Sequence, residues 1–148
     1  MSLEKIKETK GRILGIDFGE TRTGLAISDA SRLLATGVGN IKGGGLDRSV
    51  EAIAEVVATE RISAIVLGLP VNMNGTEGPR AVRIRQLAEL LEKRLPEIPL
   101  LLMDERMTTM AASRFLNQTN TRGKKRKGVI DTLSAQIILQ NALDRLKQ

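Results

Sequence analysis

A chain of 148 residues with no cysteine and no histidine is long enough to fold without disulfides or zinc, and its chemistry is left to carboxylates, lysines, hydroxyls and water. Lysine and arginine outnumber aspartate and glutamate by 23 to 17, and the net charge of +6 suits a polyanionic partner. Phe18 and Phe115 are the only aromatic rings, which excludes a multi-aromatic platform for stacking unpaired bases and leaves recognition of backbone and shape.

Residues 1–11 mix Lys5, Lys7 and Lys10 with acids and lack sustained periodicity, so they read as a solvated, partly helical lead-in to a single domain over residues 12–148. No stretch has the pattern of a signal peptide or the length of a membrane span, which predicts a cytoplasmic protein without membrane contact. Arg12 to Asp17 is an apolar run of strand length that closes on an acid and then Phe18-Gly19. A carboxylate ending a buried strand either caps a turn or stands where ligands approach the sheet. Gly24 to Ser28 and Leu33 to Ile41 follow as strands after short turns, an antiparallel meander. Beyond Gly43-Gly44-Gly45 the period becomes helical: Val50, Ile53, Ala54 and Val57 share one face of a helix reaching about Glu60. Ala64 to Leu69 is a strand, and Pro79 opens a helix with Leu87, Leu90 and Leu91 inward and Arg80 and Arg83 on another face. Leu100 to Met103 is the fifth strand and ends in Asp104-Glu105-Arg106. A short helix capped by Thr108 or Thr109 runs to Leu116. Arg122-Gly123-Lys124-Lys125-Arg126-Lys127 forms a mobile basic loop, and a last helix covers Val129 to Leu146.

Strands separated by helices run parallel, so the first, fourth and fifth should end on one rim at Asp17, Pro70 and Glu105. The expected fold is α/β, a mixed five-stranded sheet with helices on both faces. Acids gathered at that rim would repel one another unless a cation lies between them. Asp131, in the first turn of the last helix and followed at helical spacing by Ala135, Ile138 and Ala142, is a candidate third ligand or a dipole-favoured helix acid. Three oxygen ligands suit Mg²⁺ or Mn²⁺. Asp104 and Glu105 point to opposite faces if strand geometry persists, so one of the two is a ligand, and spacing alone leaves the choice open.

Four motifs carry a family resemblance: Asp17-Phe18-Gly19; Gly68-Leu69-Pro70 through Asn74-Gly75-Thr76-Glu77; Asp104-Glu105-Arg106-Met107-Thr108-Thr109; and Lys127 to Leu139 around Asp131. In this order, over about Arg12 to Ala142, the chain resembles the YqgF (RuvX) family. The resemblance implies a ribonuclease H-like, RuvC resolvase-type fold and a nuclease linked to maturation of the 5′ end of 16S ribosomal RNA and, through its fold, to branched DNA. It implies Asp17, Glu105 and Asp131 as a catalytic, metal-binding triad for two Mg²⁺ or Mn²⁺ ions, and it favours Glu105 over Asp104. Asn72, Asn74, Thr76 and Arg106 fall in the remaining motifs, where they would shape the site and contact phosphate. Arg83 and the basic run of Arg122, Lys124, Lys125, Arg126 and Lys127 would grip the backbone of precursor ribosomal RNA or branched DNA, in free form or on ribosomal particles. Glu20 departs from the family's usual Thr and Met107 from its usual Leu; Glu20 is either an exposed loop charge or a crowding acid.

Two rival classes remain. A ribosome-assembly factor with this fold and little catalysis predicts salt-sensitive binding without cleavage. A nucleotide-binding protein is suggested by Asp17-x-Gly19 with a following Thr, as in actin and sugar-kinase relatives, but those need two such domains. A protein-kinase reading of Asp-Phe-Gly fails because no glycine-rich loop or strand lysine precedes it.

Overall fold

The computed structural model describes residues 3–107 and 123–148, with side chains described through residue 106 and from residue 132 onward. Strands β1 (Arg12–Asp17), β2 (Arg22–Ser28), β3 (Ala35–Lys42), β4 (Ile62–Leu69) and β5 (Leu100–Asp104) form one sheet in the order β3-β2-β1-β4-β5. β1, β2 and β3 pair antiparallel as the expected meander, whereas β1, β4 and β5 are parallel. Helices α1 (Leu3–Lys7), α2 (Leu46–Thr59), α3 (Pro79–Arg94) and α4 (Gly123–Leu146) and a 3₁₀ turn (Glu105–Met107) complete the described elements.

Alternation along the strands sorts their side chains into two cores. On one face α2 and α3 bury Val50, Ile53, Val57, Ile84, Leu87 and Leu91 against Leu14, Ile16, Ile65 and Leu67. On the other, α4 buries Ala135, Ile138, Leu139, Ala142 and Leu143 against Ile13, Ala64, Val66 and Met103. Glycines let α4 lie close: a Cβ at Gly15 would stand 2.6 Å from Leu139 Cβ and 3.1 Å from the Ala135 carbonyl oxygen, and one at Gly37 would stand 2.2 Å from Thr132 Cγ2.

Three sequence expectations are corrected. The basic run is not all loop, because α4 begins at Gly123 and contains Lys124 to Lys127. Unbranched Lys and Arg are good helix formers, and repulsion between solvated charges costs a helix only tenths of a kcal/mol. The third strand starts at Ala35 because the Asp29 carboxylate accepts the amides of Leu33 and Leu34 at 2.8 and 3.0 Å, turning the chain there and leaving both leucines exposed. Bonds from Ser31 and from these amides hold the Asp29 carboxyl down at about 2. The lead-in is anchored as well as solvated: Ile6 is fully buried in the α4-side core, and the Arg32 guanidinium donates to Gly11 O, Ile6 O and Thr9 Oγ1. The helix expected from Thr108 or Thr109 to Leu116 lies outside the described residues.

Candidate active site

Parallel pairing brings the motif ends to one rim. Ile16 pairs with Leu67 and Gly68 with Met103, so Asp17 ends β1 level with Gly68, and Glu105 stands two residues past Met103. By alternation Asp17 follows Ile13 and Gly15 toward α4, and Glu105, the first residue past β5, has its carboxyl on the same face, beside Gly68 and Ile138. Asp104 follows Leu100 and Leu102 to the opposite face. Glu105 shares the α4 face with Asp17, and Asp104 does not.

Gly68 lies between the two strand ends and carries no side chain into the gap. A Cβ there would stand 2.5 Å from Ile138 Cδ1 and 3.5 Å from Glu105 Cδ, so glycine keeps the space beside the carboxyl open. Glu105 opens the short 3₁₀ turn Glu105–Met107, and its half-buried carboxyl is pushed above the usual range by burial, partly opposed by Arg80. Asp17 is 14 % exposed at its side chain. Arg80, in the first turn of α3, reaches over the rim and donates from Nη2 to Asp17 Oδ1 at 3.4 Å and to Phe18 O at 3.1 Å.

A polar loop frames the rim. Asn72 N–H donates to Thr76 O, Asn72 Nδ2 to Thr76 Oγ1 at 3.0 Å, and the Thr76 amide and hydroxyl both donate to Asn74 Oδ1, at 3.1 and 2.6 Å. Gly75 turns this loop at a φ of 88°, and Met73 projects from it. Arg106 fastens the loop to the end of β5: Nη1 donates to Asn72 O at 3.4 Å while Nε and Nη2 fork onto Asp104 at 3.1 and 2.8 Å, holding the Asp104 carboxyl below its ordinary value. Glu20 is exposed and accepts from Arg83 Nε at 2.8 Å. Arg80 is the residue that sequence reasoning names without a role; its signal is a cation in a helix first turn, where the dipole favours acids.

Asp131 lies within α4, one turn before Ala135, but its side chain and those of Lys124, Lys125, Arg126 and Lys127 lie outside the described residues, as does Arg122 altogether. Among the described residues no three metal-ligating side chains cluster. Of the three acids expected as ligands, Asp17 and Glu105 stand at the rim on one face of the sheet.

The RuvX family, described as Holliday junction resolvase, matches residues 11–145. The chain belongs to the RuvX family. Relatives named "Putative pre-16S rRNA nuclease" include one from Ruminiclostridium cellulolyticum, 40% identical over 136 residues (91% of this chain, 95% of the relative), and one from Heliobacterium modesticaldum, 45% identical over 133 residues (90% and 89%). Among solved structures, T. thermophilus RuvC in complex with a Holliday junction substrate superposes with a TM-score of 0.57 at 15% identity, covering 91% of this chain and 94% of RuvC. At that identity the likeness concerns the fold, which is ribonuclease H-like. The described part of this RuvX chain has no helix long and apolar enough to cross a membrane.

Proposed function

We propose that this RuvX-family chain is a metal-dependent nuclease that hydrolyses phosphodiesters of structured RNA in 5′-end processing of pre-16S ribosomal RNA, with branched DNA as a further substrate. The observation that carries the reading is the pair Asp17 and Glu105, set on one face of the sheet at the ends of parallel strands on either side of a glycine gap. Burial raises the Glu105 carboxyl's pKa, a nearby cation would favour its ionised form, and hard oxygen donors without histidine or cysteine fit Mg²⁺ or Mn²⁺. Asp17, Glu105 and Asp131 would hold two such ions, with α4 carrying Asp131 to the rim. When bound, the ions supply Lewis-acid polarisation of the phosphodiester and lower the pKa of the attacking water.

The rest of the machinery is positional. Arg106 and the self-bonded Asn72–Thr76 loop give the rim a fixed edge, and Asn72, Asn74 and Thr76 offer it polar groups for phosphate. Arg83 and the basic start of α4 supply charge for the flanking backbone. Residues 12–148 act as one domain with 1–11 as its lead-in, in the cytoplasm, on free precursor RNA or on ribosomal particles. The test is cleavage of a structured precursor ribosomal RNA and of a four-way DNA junction with Mg²⁺, Mn²⁺ or chelator. Metal-dependent cuts that vanish in a folded Asp17→Asn variant are expected. Equal binding with no cuts by the native chain would instead make it an assembly factor.

A further inference from the structure

We propose that Arg80 is a built-in counter-ion that occupies the cation's place at Asp17 in the metal-free chain and yields it when a divalent ion binds. The inference rests on the metal-site reading above and adds a residue that competes with the metal.

Arg80 stands at the second position of α3, directly after Pro79. There the helix presents its positive end, and a cation is locally unfavourable. The first turn contains no acid to offset it, and Gly78 provides no side-chain cap. A residue that breaks a local rule marks a site where something else decides. Here that is the rim, where the guanidinium lies 3.4 Å from Asp17 Oδ1 and 3.1 Å from Phe18 O.

The contact is built to be released. Arg85 forks onto Glu77 at 2.6 and 2.7 Å, Arg94 onto Glu51 with its closest approach at 2.9 Å, and Arg106 onto Asp104 at 2.8 and 3.1 Å. Arg80 touches Asp17 through one nitrogen at the long end of hydrogen bonding, and its side chain is 60 % exposed. It also lines a groove of about 490 Å³ with Phe18, Gly19, Glu20, Pro79 and Arg83, which gives the side chain room to leave the carboxylate. Arg83, beside it in the same groove, is held by Glu20 at 2.8 Å.

The experiment is a titration of the full chain with MnCl₂ at low ionic strength, without nucleic acid, reading bound Mn²⁺ by electron paramagnetic resonance and folding by thermal melting. The native chain, Asp17→Asn, Arg80→Gln and Arg80→Lys are compared. Removing an exposed ion pair should tighten Mn²⁺ binding in Arg80→Gln by about two- to fivefold, and the gap should narrow at high salt. Arg80→Lys, which keeps the charge, should stay near the native value. Unchanged or weaker Mn²⁺ binding in Arg80→Gln, with a lowered melting temperature, would overturn the inference and leave Arg80 a structural ion pair. In that case Mn²⁺ uptake that still depends on Asp17 keeps the metal-site reading standing. Native uptake insensitive to Asp17→Asn would remove both.

Discussion

The Glu105 carboxyl sits half-buried beside Gly68, and burial holds its pKa above the ordinary value. Its folded pKa therefore exceeds its unfolded one, so the native state favours the proton. The stability this group contributes is present below the unfolded pKa and is lost as pH rises through the folded value. At neutral pH the ionised carboxylate is a cost that a bound cation would offset. Glu105→Gln should therefore melt above the native chain at pH 7, with the difference closing toward pH 4; calorimetry across that range checks the sign. Added Mg²⁺ should raise the melting temperature of the native chain and leave the variant unmoved. Asp104 has the reverse linkage. Its hydrogen bonds to Arg106 lower its pKa, so its contribution is present above the unfolded value and lost as pH falls through the folded one. Because Asp104 faces the α2–α3 side of the sheet, Asp104→Asn should keep cleavage within a few-fold, whereas Glu105→Gln should lose on the order of a hundredfold or more, by analogy with removal of one electrostatic stabiliser from an active site. Single-turnover cleavage of the same RNA separates the two, and equal losses would contradict the assignment of faces.

In the proposed triad helix α4 carries the third acid, and the seat of α4 on the sheet is made by absent side chains. At Gly15 an added methyl would meet Leu139 Cβ and the Ala135 carbonyl, both fixed to the helix backbone, so the helix itself must move. Gly15→Ala should cost about 1–3 kcal/mol, the usual penalty of overpacking, and should lower cleavage although every acid is retained. At Gly68 the nearest atom is the flexible end of Ile138, so Gly68→Ala should cost less stability while placing a methyl beside Glu105. Urea unfolding measured together with turnover distinguishes the two variants; a Gly15→Ala chain of native stability would mean that α4 has slack. Much of this arrangement is legible from residue pattern. Strands separated by helices have to be parallel, which puts Asp17 and the Asp104-Glu105 pair on one rim, and the burial period of α2 is plain in Val50, Ile53, Ala54 and Val57. What pattern leaves open depends on contacts distant in sequence. The placement of Glu105 on the α4 face depends on Gly68 and Ile138, far from it in sequence, and the contact of Arg80 arises 63 residues from the acid it faces. Ile6 looks solvated because its partners come from the other end of the chain, and the start of α4 looks like loop because its run of charge masks the helix propensity of the residues that carry it.

Over the whole molecule, charge is concentrated rather than spread. Arg122 to Lys127 carries five of the net six positive charges, leaving the remainder of the chain at +1. Phe18 is buried in the core, so that ring has no exposed face for a base. In the proposed reading, attraction to a nucleic acid comes mainly from phosphate contacts of the basic run, and each such contact releases counterions on binding. Replacing Lys124, Lys125 and Lys127 together by Gln should reduce the slope of log Kd against log salt by about one for each phosphate no longer neutralised, up to about three, uniformly across RNA sequences. These residues precede Asp131 on the same helix without being expected ligands. The triple variant should accordingly raise KM for the RNA while leaving kcat near native, and Asp17→Asn should do the opposite, removing turnover while keeping the salt slope. Filter binding in chelator over a range of KCl concentrations, paired with cleavage in Mg²⁺, reads both quantities on the same substrate. A salt slope unchanged by the triple substitution would move the binding surface elsewhere, with Arg83 and its groove the next place to look.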